Sequence, residues 1–155
     1  MDITLDFQTL TKIVKRSLSI IGKRSVDADG NLLFKDITLG SMEEPILVDF
    51  FKEAVIQLKT QTDQFLAATT ESNITLTFPS NHPDNKDTTI RDAFSSYCVS
   101  YALYSWFIIV APKIAQKYLE DANTHMKSFI RLAYFKAPPE SDESYNNVTG
   151  SINPI

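Results

Sequence analysis

The chain is poor in the residues that build the commonest catalytic and metal sites. It has one cysteine, two histidines and four glycines among 155 residues. A single cysteine, Cys98, excludes an internal disulfide and a cysteine-ligated zinc site. His82 and His125 leave little material for a histidine metal site or a catalytic triad, and no nucleotide-binding glycine motif occurs. We therefore expect neither an enzyme nor a cofactor.

Charge is distributed unevenly along a chain whose net charge is −4. Residues 1–24 carry +3, residues 25–92 carry −7, residues 112–137 carry +3 and residues 138–155 carry −3. Phosphate attraction needs clustered lysine and arginine, so the acidic middle disfavours sequence-specific nucleic-acid binding. The basic N-terminal stretch is typical of the solvated face of a helix.

Two stretches bear on location. The N-terminal sequence MDITLDFQTL has acids where a secretory signal has bases, which predicts a protein retained in the cytoplasm where it is made. Residues 93–112 lack charge and have the length of a bilayer span. Serines and tyrosines recur through the middle of that stretch, however, and amphipathic helices are predicted on both sides. We favour burial in a bundle or between subunits, and expect no membrane contact.

Apolar residues at helical spacing predict two helices in the first half of the chain. The first covers residues 7–21 and begins after Asp6, whose carboxylate can cap it. The second covers residues 41–68, with Ser41 and Glu44 as a capping box. Between them, the turn residues at 29–31 predict a tight turn, followed by short strands or irregular chain.

The second half predicts one strand and a long helical segment. Residues 73–79 alternate apolar and polar side chains, which is typical of a strand, and a polar loop follows to residue 87. A helix begins near residue 89. Pro112 is expected to kink it or to start a new helix, which continues to about residue 136.

These signals together predict a mostly α fold. It is a bundle of three to four helices with a short strand excursion and an extended C-terminal tail. Residues 1–137 form the helical domain, and residues 138–155 form a polar tail with no apolar periodicity. Such a tail is expected to be disordered on its own.

This layout resembles the head–tail connector, or adaptor, proteins of tailed bacteriophages. The resemblance covers residues 7–137 in organisation: a helix at 7–21, a capped helix at 41–68, a strand and loop at 73–87, and helices over 89–137. It implies a structural virion protein, assembled in the bacterial host cytoplasm, that links portal to tail. It also implies a homo-oligomeric ring, commonly of twelve copies, through which DNA passes.

The resemblance also implies contacts between subunits and with portal and tail or neck proteins. We expect these contacts in the strand excursion and the tail, at Ile74, Leu76, Phe78, His82, Tyr145, Val148 and Ile152. An acidic ring wall would let DNA slide without binding phosphate. The alternative is a soluble helical module that binds or regulates one protein and has no catalytic activity.

Overall fold

The chain folds into helices that pack around one side of a small antiparallel sheet. The computed structural model describes residues 1–24, 28–31, 37–79 and 86–134. Within them the elements are β1 (Asp2–Asp6), α1 (Phe7–Arg24), α2 (Glu44–Gln61), β2 (Leu66–Thr69), β3 (Asn73–Thr77), α3 (Asp87–Val110) and α4 (Pro112–Ala133). The prediction of a mostly helical fold with a short strand segment is confirmed.

The two longest helices form an antiparallel hairpin. The Phe107 ring lies 4.8 Å from the Tyr118 ring near the turn, and Phe94 lies 5.5 Å from Phe129 toward the other end. Pro112 begins α4, where its missing N–H breaks no helical hydrogen bond. Of the two predicted effects of this proline, a kink or a new helix, the structure has the second.

The first two helices also run antiparallel. The Phe7 and Phe51 rings stack with centroids 6.0 Å apart, and the Lys15 ammonium donates to the Glu44 carboxylate at 2.6 Å. The predicted cap is present, since Asp6 Oδ2 accepts from the Thr9 amide at 2.9 Å. The Thr9 hydroxyl donates to the same oxygen, and the two hydrogen bonds hold the pKa of Asp6 below its ordinary value.

The sheet has β3 at its centre, with β1 and β2 antiparallel on either side. Alternate residues point to opposite faces of a strand, so one face of the sheet is buried and the other is exposed. The inner face places four apolar side chains against the helices: Ile3, Leu5, Ile74 and Leu76. On the outer face the Thr4 and Thr75 hydroxyls form a hydrogen bond of 3.0 Å.

The second helix is shorter than predicted. It begins at Glu44, and Ser41 makes no cap, so the predicted capping box is wrong. Glu43 instead accepts a hydrogen bond from the Gly40 amide at 2.5 Å. The predicted C-terminal end at residue 68 is also wrong, because the chain becomes extended at Thr62 and then pairs with β3.

The linker between α1 and α2 contains the predicted turn. Gly30 has φ of 82°, a left-handed conformation that glycine adopts without steric cost. Ile37 and Leu39 are buried without regular secondary structure, and the Trp106 indole donates to the Ile37 carbonyl at 2.8 Å. The strands considered for residues 32–36 lie outside the described residues.

Candidate interaction surfaces

The predicted contact residues of β3 are part of this chain's own core. Ile74 and Leu76 are fully buried on the inner face of the sheet, and Phe78 packs against Phe65 and Phe129. Their side chains are thus occupied within one chain and present no surface to a partner in this fold. His82, Tyr145, Val148 and Ile152 lie outside the described residues.

The outer side of β2, the strand that precedes β3, is more accessible than the buried side chains of β3. Within the described chain, no strand pairs with that side of β2. A groove of about 540 Å³ lies between β2 and α2. We call it the edge groove; its lining residues are Lys52, Val55, Ile56, Lys59, Ala67 and Thr69. Ile56 is 63% exposed, which leaves an apolar side chain in contact with solvent there.

The ladder register fixes which backbone groups of β2 face the edge groove. The Thr70 amide donates to the Asn73 carbonyl at 2.9 Å and closes the hairpin. Bonded positions alternate along an antiparallel ladder, so Ala68 is the next residue of β2 that bonds to β3. The N–H and C=O groups of Ala67 and Thr69 therefore point away from β3.

The opposite edge of the sheet is formed by β1, which carries charged residues. The Phe7 amide donates to the Ser72 carbonyl at 2.9 Å, and the same alternation turns the backbone of Asp2, Thr4 and Asp6 outward. Charged residues on an edge strand discourage pairing with another chain. β1 thus carries carboxylates along its exposed edge, whereas β2 contains neither a charge nor a proline.

A second exposed apolar surface lies at the turn between α3 and α4. Ile108 is 47% exposed and Ile109 is 61% exposed, although the adjacent Trp106 and Phe107 are buried. We call Ile108 and Ile109 the corner patch. Two neighbouring isoleucines at the end of a helix cost solvation free energy unless another surface covers them.

The corner patch and the edge groove are well separated. Phe65, directly before β2, lies 5.5 Å from Phe129, and Phe129 lies 5.5 Å from Phe94. Fourteen residues of α3 separate Phe94 from Ile108, which at 1.5 Å per residue is about 21 Å. The corner patch therefore lies about 21 Å along α3 from the aromatic cluster that precedes β2. The α2 wall of the edge groove lies nearer the middle of α3, where Tyr97 and Tyr101 bond to Ala54 and Glu53.

An open cleft of about 670 Å³ lies between the start of α1 and α2. Four carboxylates, those of Asp6, Glu44, Asp49 and Glu71, are among its lining groups, together with Lys52. The ion pair with Lys15 engages one of them. The cleft is therefore acidic and would repel phosphate groups.

Buried hydroxyl and thiol groups serve packing. Tyr97 donates to the Ala54 carbonyl at 2.8 Å, and Tyr101 donates to the Glu53 carboxylate at 2.9 Å. Burial raises the pKa of both phenols, and the Glu53 contact raises that of Tyr101 further. Burial likewise raises the pKa of the Cys98 thiol, which keeps this fully buried thiol protonated and unreactive.

Among the described helices, α3 alone is long and apolar enough to cross a membrane by length and composition. Half of that window is buried inside the fold, as in the core helix of a soluble protein. Within the described residues, no group of three or more His, Cys, Asp or Glu side chains could hold a metal ion.

Sequence reasoning missed β1, β2 and the corner patch. The alternation of Ile3 and Leu5 with polar residues is a strand signal, but it covers only five residues directly before a helix. The corner patch lies in an uncharged stretch whose apolar residues occur on nearly all sides of the helix, so their spacing does not distinguish buried from exposed positions. Compared with known proteins, the chain matches no family model, no curated protein and no solved structure.

Proposed function

We propose that the chain is a structural subunit that assembles with copies of itself into a ring. The ring would act at the head–tail junction of a bacteriophage, between portal and tail proteins, with DNA passing through it. The order of helices and strand excursion supports this role by its resemblance to head–tail connector proteins.

The observation that carries the proposal is the presence of two different exposed apolar surfaces on one chain. A ring needs a heterologous contact, in which one surface of a subunit meets a different surface of the next. The corner patch and the edge groove are two such different surfaces, and each can meet a different part of the neighbouring subunit. A dimer about a twofold axis would need only one self-complementary surface.

Charge supports the proposed DNA passage. The acidic cleft gives the surface near α1 and α2 a carboxylate-rich character. A channel wall of this sign repels phosphate and lowers friction against DNA, whereas clustered lysine and arginine would retain it.

The test is the mass of the purified full chain by light scattering across a concentration series. We expect a discrete oligomer that Ile109→Asp weakens at least about tenfold, because a charge would be buried at the contact. Thr124→Asp, which adds the same charge to the exposed side of α4, is the control and should leave the oligomer intact. A monomer at every concentration would refute the proposal.

The acidic cleft favours one alternative function, a soluble module that binds a single basic protein segment. That function requires a monomer or dimer whose partner binds between α1 and α2. Glu71→Lys would then abolish partner capture without changing the mass of the chain, whereas the ring proposal locates assembly at the corner patch and the edge groove.

A further inference from the structure

We propose that the edge groove binds the acidic C-terminal segment of a neighbouring copy, residues 138–155, as an added strand along β2. This inference rests on the proposed assembly and names the element that connects one subunit to the next. It assigns the receiving surface to β2 and α2, rather than to the buried side chains of β3.

The backbone of β2 is prepared for strand addition. Ala67 and Thr69 turn their N–H and C=O groups outward, and an extended peptide pairs with such groups at every second residue. The charged residues that protect β1 are absent from β2. An incoming strand therefore meets neither a proline nor a like charge along this edge.

The side chains of the edge groove suit an extended segment with few apolar residues. Val55 is buried and Ile56 is exposed on the α2 wall, so the groove has an apolar lining open to solvent. Residues two or four apart share one side of an extended chain. Val148 and Ile152 of the C-terminal segment have that spacing and could both face the α2 wall.

Charge is complementary between the two partners. Lys52 and Lys59 line the edge groove, and among the residues that the structure describes no carboxylate lines it. The segment 138–155 has three acids and no base. The Lys59 ammonium also donates to the Phe65 carbonyl at 2.6 Å, which holds this charge at the start of β2.

In a ring, the short edge of β2 is long enough to hold the C-terminal segment of a neighbour. Two outward-facing residues give only a few hydrogen bonds, so a single contact is weak. In a closed ring every copy makes the same contact while the other interfaces hold it nearby, which raises its effective concentration. The 21 residues after Tyr134 could extend about 70 Å, far enough to reach an adjacent subunit.

Disulfide trapping between two single-site variants of the full chain tests the proposal. One copy carries Thr69→Cys in the edge groove, and the other carries Val148→Cys in the C-terminal segment. Mixed under mild oxidation, they should give mainly the mixed disulfide, in at least about tenfold excess over a control pair with Thr4→Cys on β1. Native Cys98 is buried and remains in all copies.

Every outcome of this experiment is decisive. A mixed disulfide no more abundant than the control overturns the proposal. A disulfide confined to two Thr69→Cys copies would show edge-to-edge pairing of β2 instead. A chain carrying both substitutions that closes within one monomer would show docking in its own groove, which also overturns the proposal for a neighbour.

Two further variants separate this inference from the proposed function. Ala67→Pro removes an outward-facing donor, and it should reduce the mixed disulfide at least about tenfold; Thr4→Pro on β1 is the matched control. Rings that form without the mixed disulfide would refute only the docking of residues 138–155. A chain that stays monomeric and gives no mixed disulfide would refute both.

Discussion

At the scale of single residues, Phe129 connects the helical hairpin to the sheet. Its ring contacts Phe65, Phe78 and Phe94, with centroids between 5.5 and 6.3 Å apart. These partners come from three separate parts of the chain. The side chain is fully buried, so water cannot fill the space that loss of the ring would leave.

Phe129→Ala is expected to lower the free energy of unfolding by about 3–5 kcal/mol, because it removes a buried ring and leaves a cavity. Urea unfolding followed by circular dichroism measures this change. Tyr134→Ala, at a half-exposed aromatic one turn later, should change stability by less than about 1 kcal/mol. Equal effects of the two substitutions would contradict the described core.

The fully buried Tyr97 and the partly exposed Tyr101 predict a loss of stability at high pH. The folded pKa of Tyr97 and Tyr101 lies above the unfolded value of about 10, so their contribution is complete below pH 10. Above that pH the unfolded chain releases protons first, and the free energy of unfolding falls as pH rises. Tyrosinate absorbance near 295 nm should therefore rise together with unfolding. Complete titration of all six tyrosines in a chain that stays folded would contradict this account.

At the scale of secondary-structure elements, β2 determines how the sheet ends. Ala68 donates into the ladder with β3, whereas the amide of Ala67 faces outward. Ala68→Pro should therefore lower the free energy of unfolding by about 1–3 kcal/mol more than Ala67→Pro, because it leaves a β3 carbonyl without its donor. Thermal unfolding of the two variants measures the difference, and the reverse order would show that the register is wrong.

Helices with an amphipathic stripe and the central strand β3 could be predicted from the sequence, whereas β1 and β2 could not. In α1 and α4 the apolar spacing itself indicates the buried face, because these helices have solvent on the other side. In the sequence alone, the apolar spacing of α2 continues to Phe65 and Leu66. In the structure Phe65 is buried in the aromatic cluster, whereas Leu66 is 73% exposed on the outer face of the sheet. The two neighbours differ in burial because the chain pairs with β3 from Leu66 onward.

The lack of long-range information in a local pattern also explains why Ile74 and Leu76 are predicted at a subunit contact and yet lie in the core. Alternation correctly identified β3 as a strand, but alternation does not say whether its apolar face covers this chain's helices or another subunit. Ile74 and Leu76 face the chain's own core because the helices of the same chain cover that side of the sheet. Long-range packing of this kind is invisible to a local pattern.

At the scale of the whole molecule, charge and apolar surface suggest how assembly depends on conditions. The proposed docking of residues 138–155 near Lys52 and Lys59 would be partly electrostatic, and salt screens exposed charges over about 10 Å at 0.1 M. The yield of the mixed disulfide between Thr69→Cys and Val148→Cys should therefore fall as salt rises from about 0.05 to about 0.5 M, because the screening length shortens over this range. The corner patch is apolar, so its contact should be insensitive to the same change. A mixed disulfide that increases with salt would contradict the charge complementarity.

The central claim is that copies of this chain join through two different surfaces into a closed ring. Electron microscopy of the purified full chain, with class averages sorted by rotational symmetry, tests it most directly. The account predicts closed rings of one copy number, which Ile109→Asp disperses and Thr124→Asp leaves intact. Particles the size of a single chain, or dimers with one twofold axis, would contradict it.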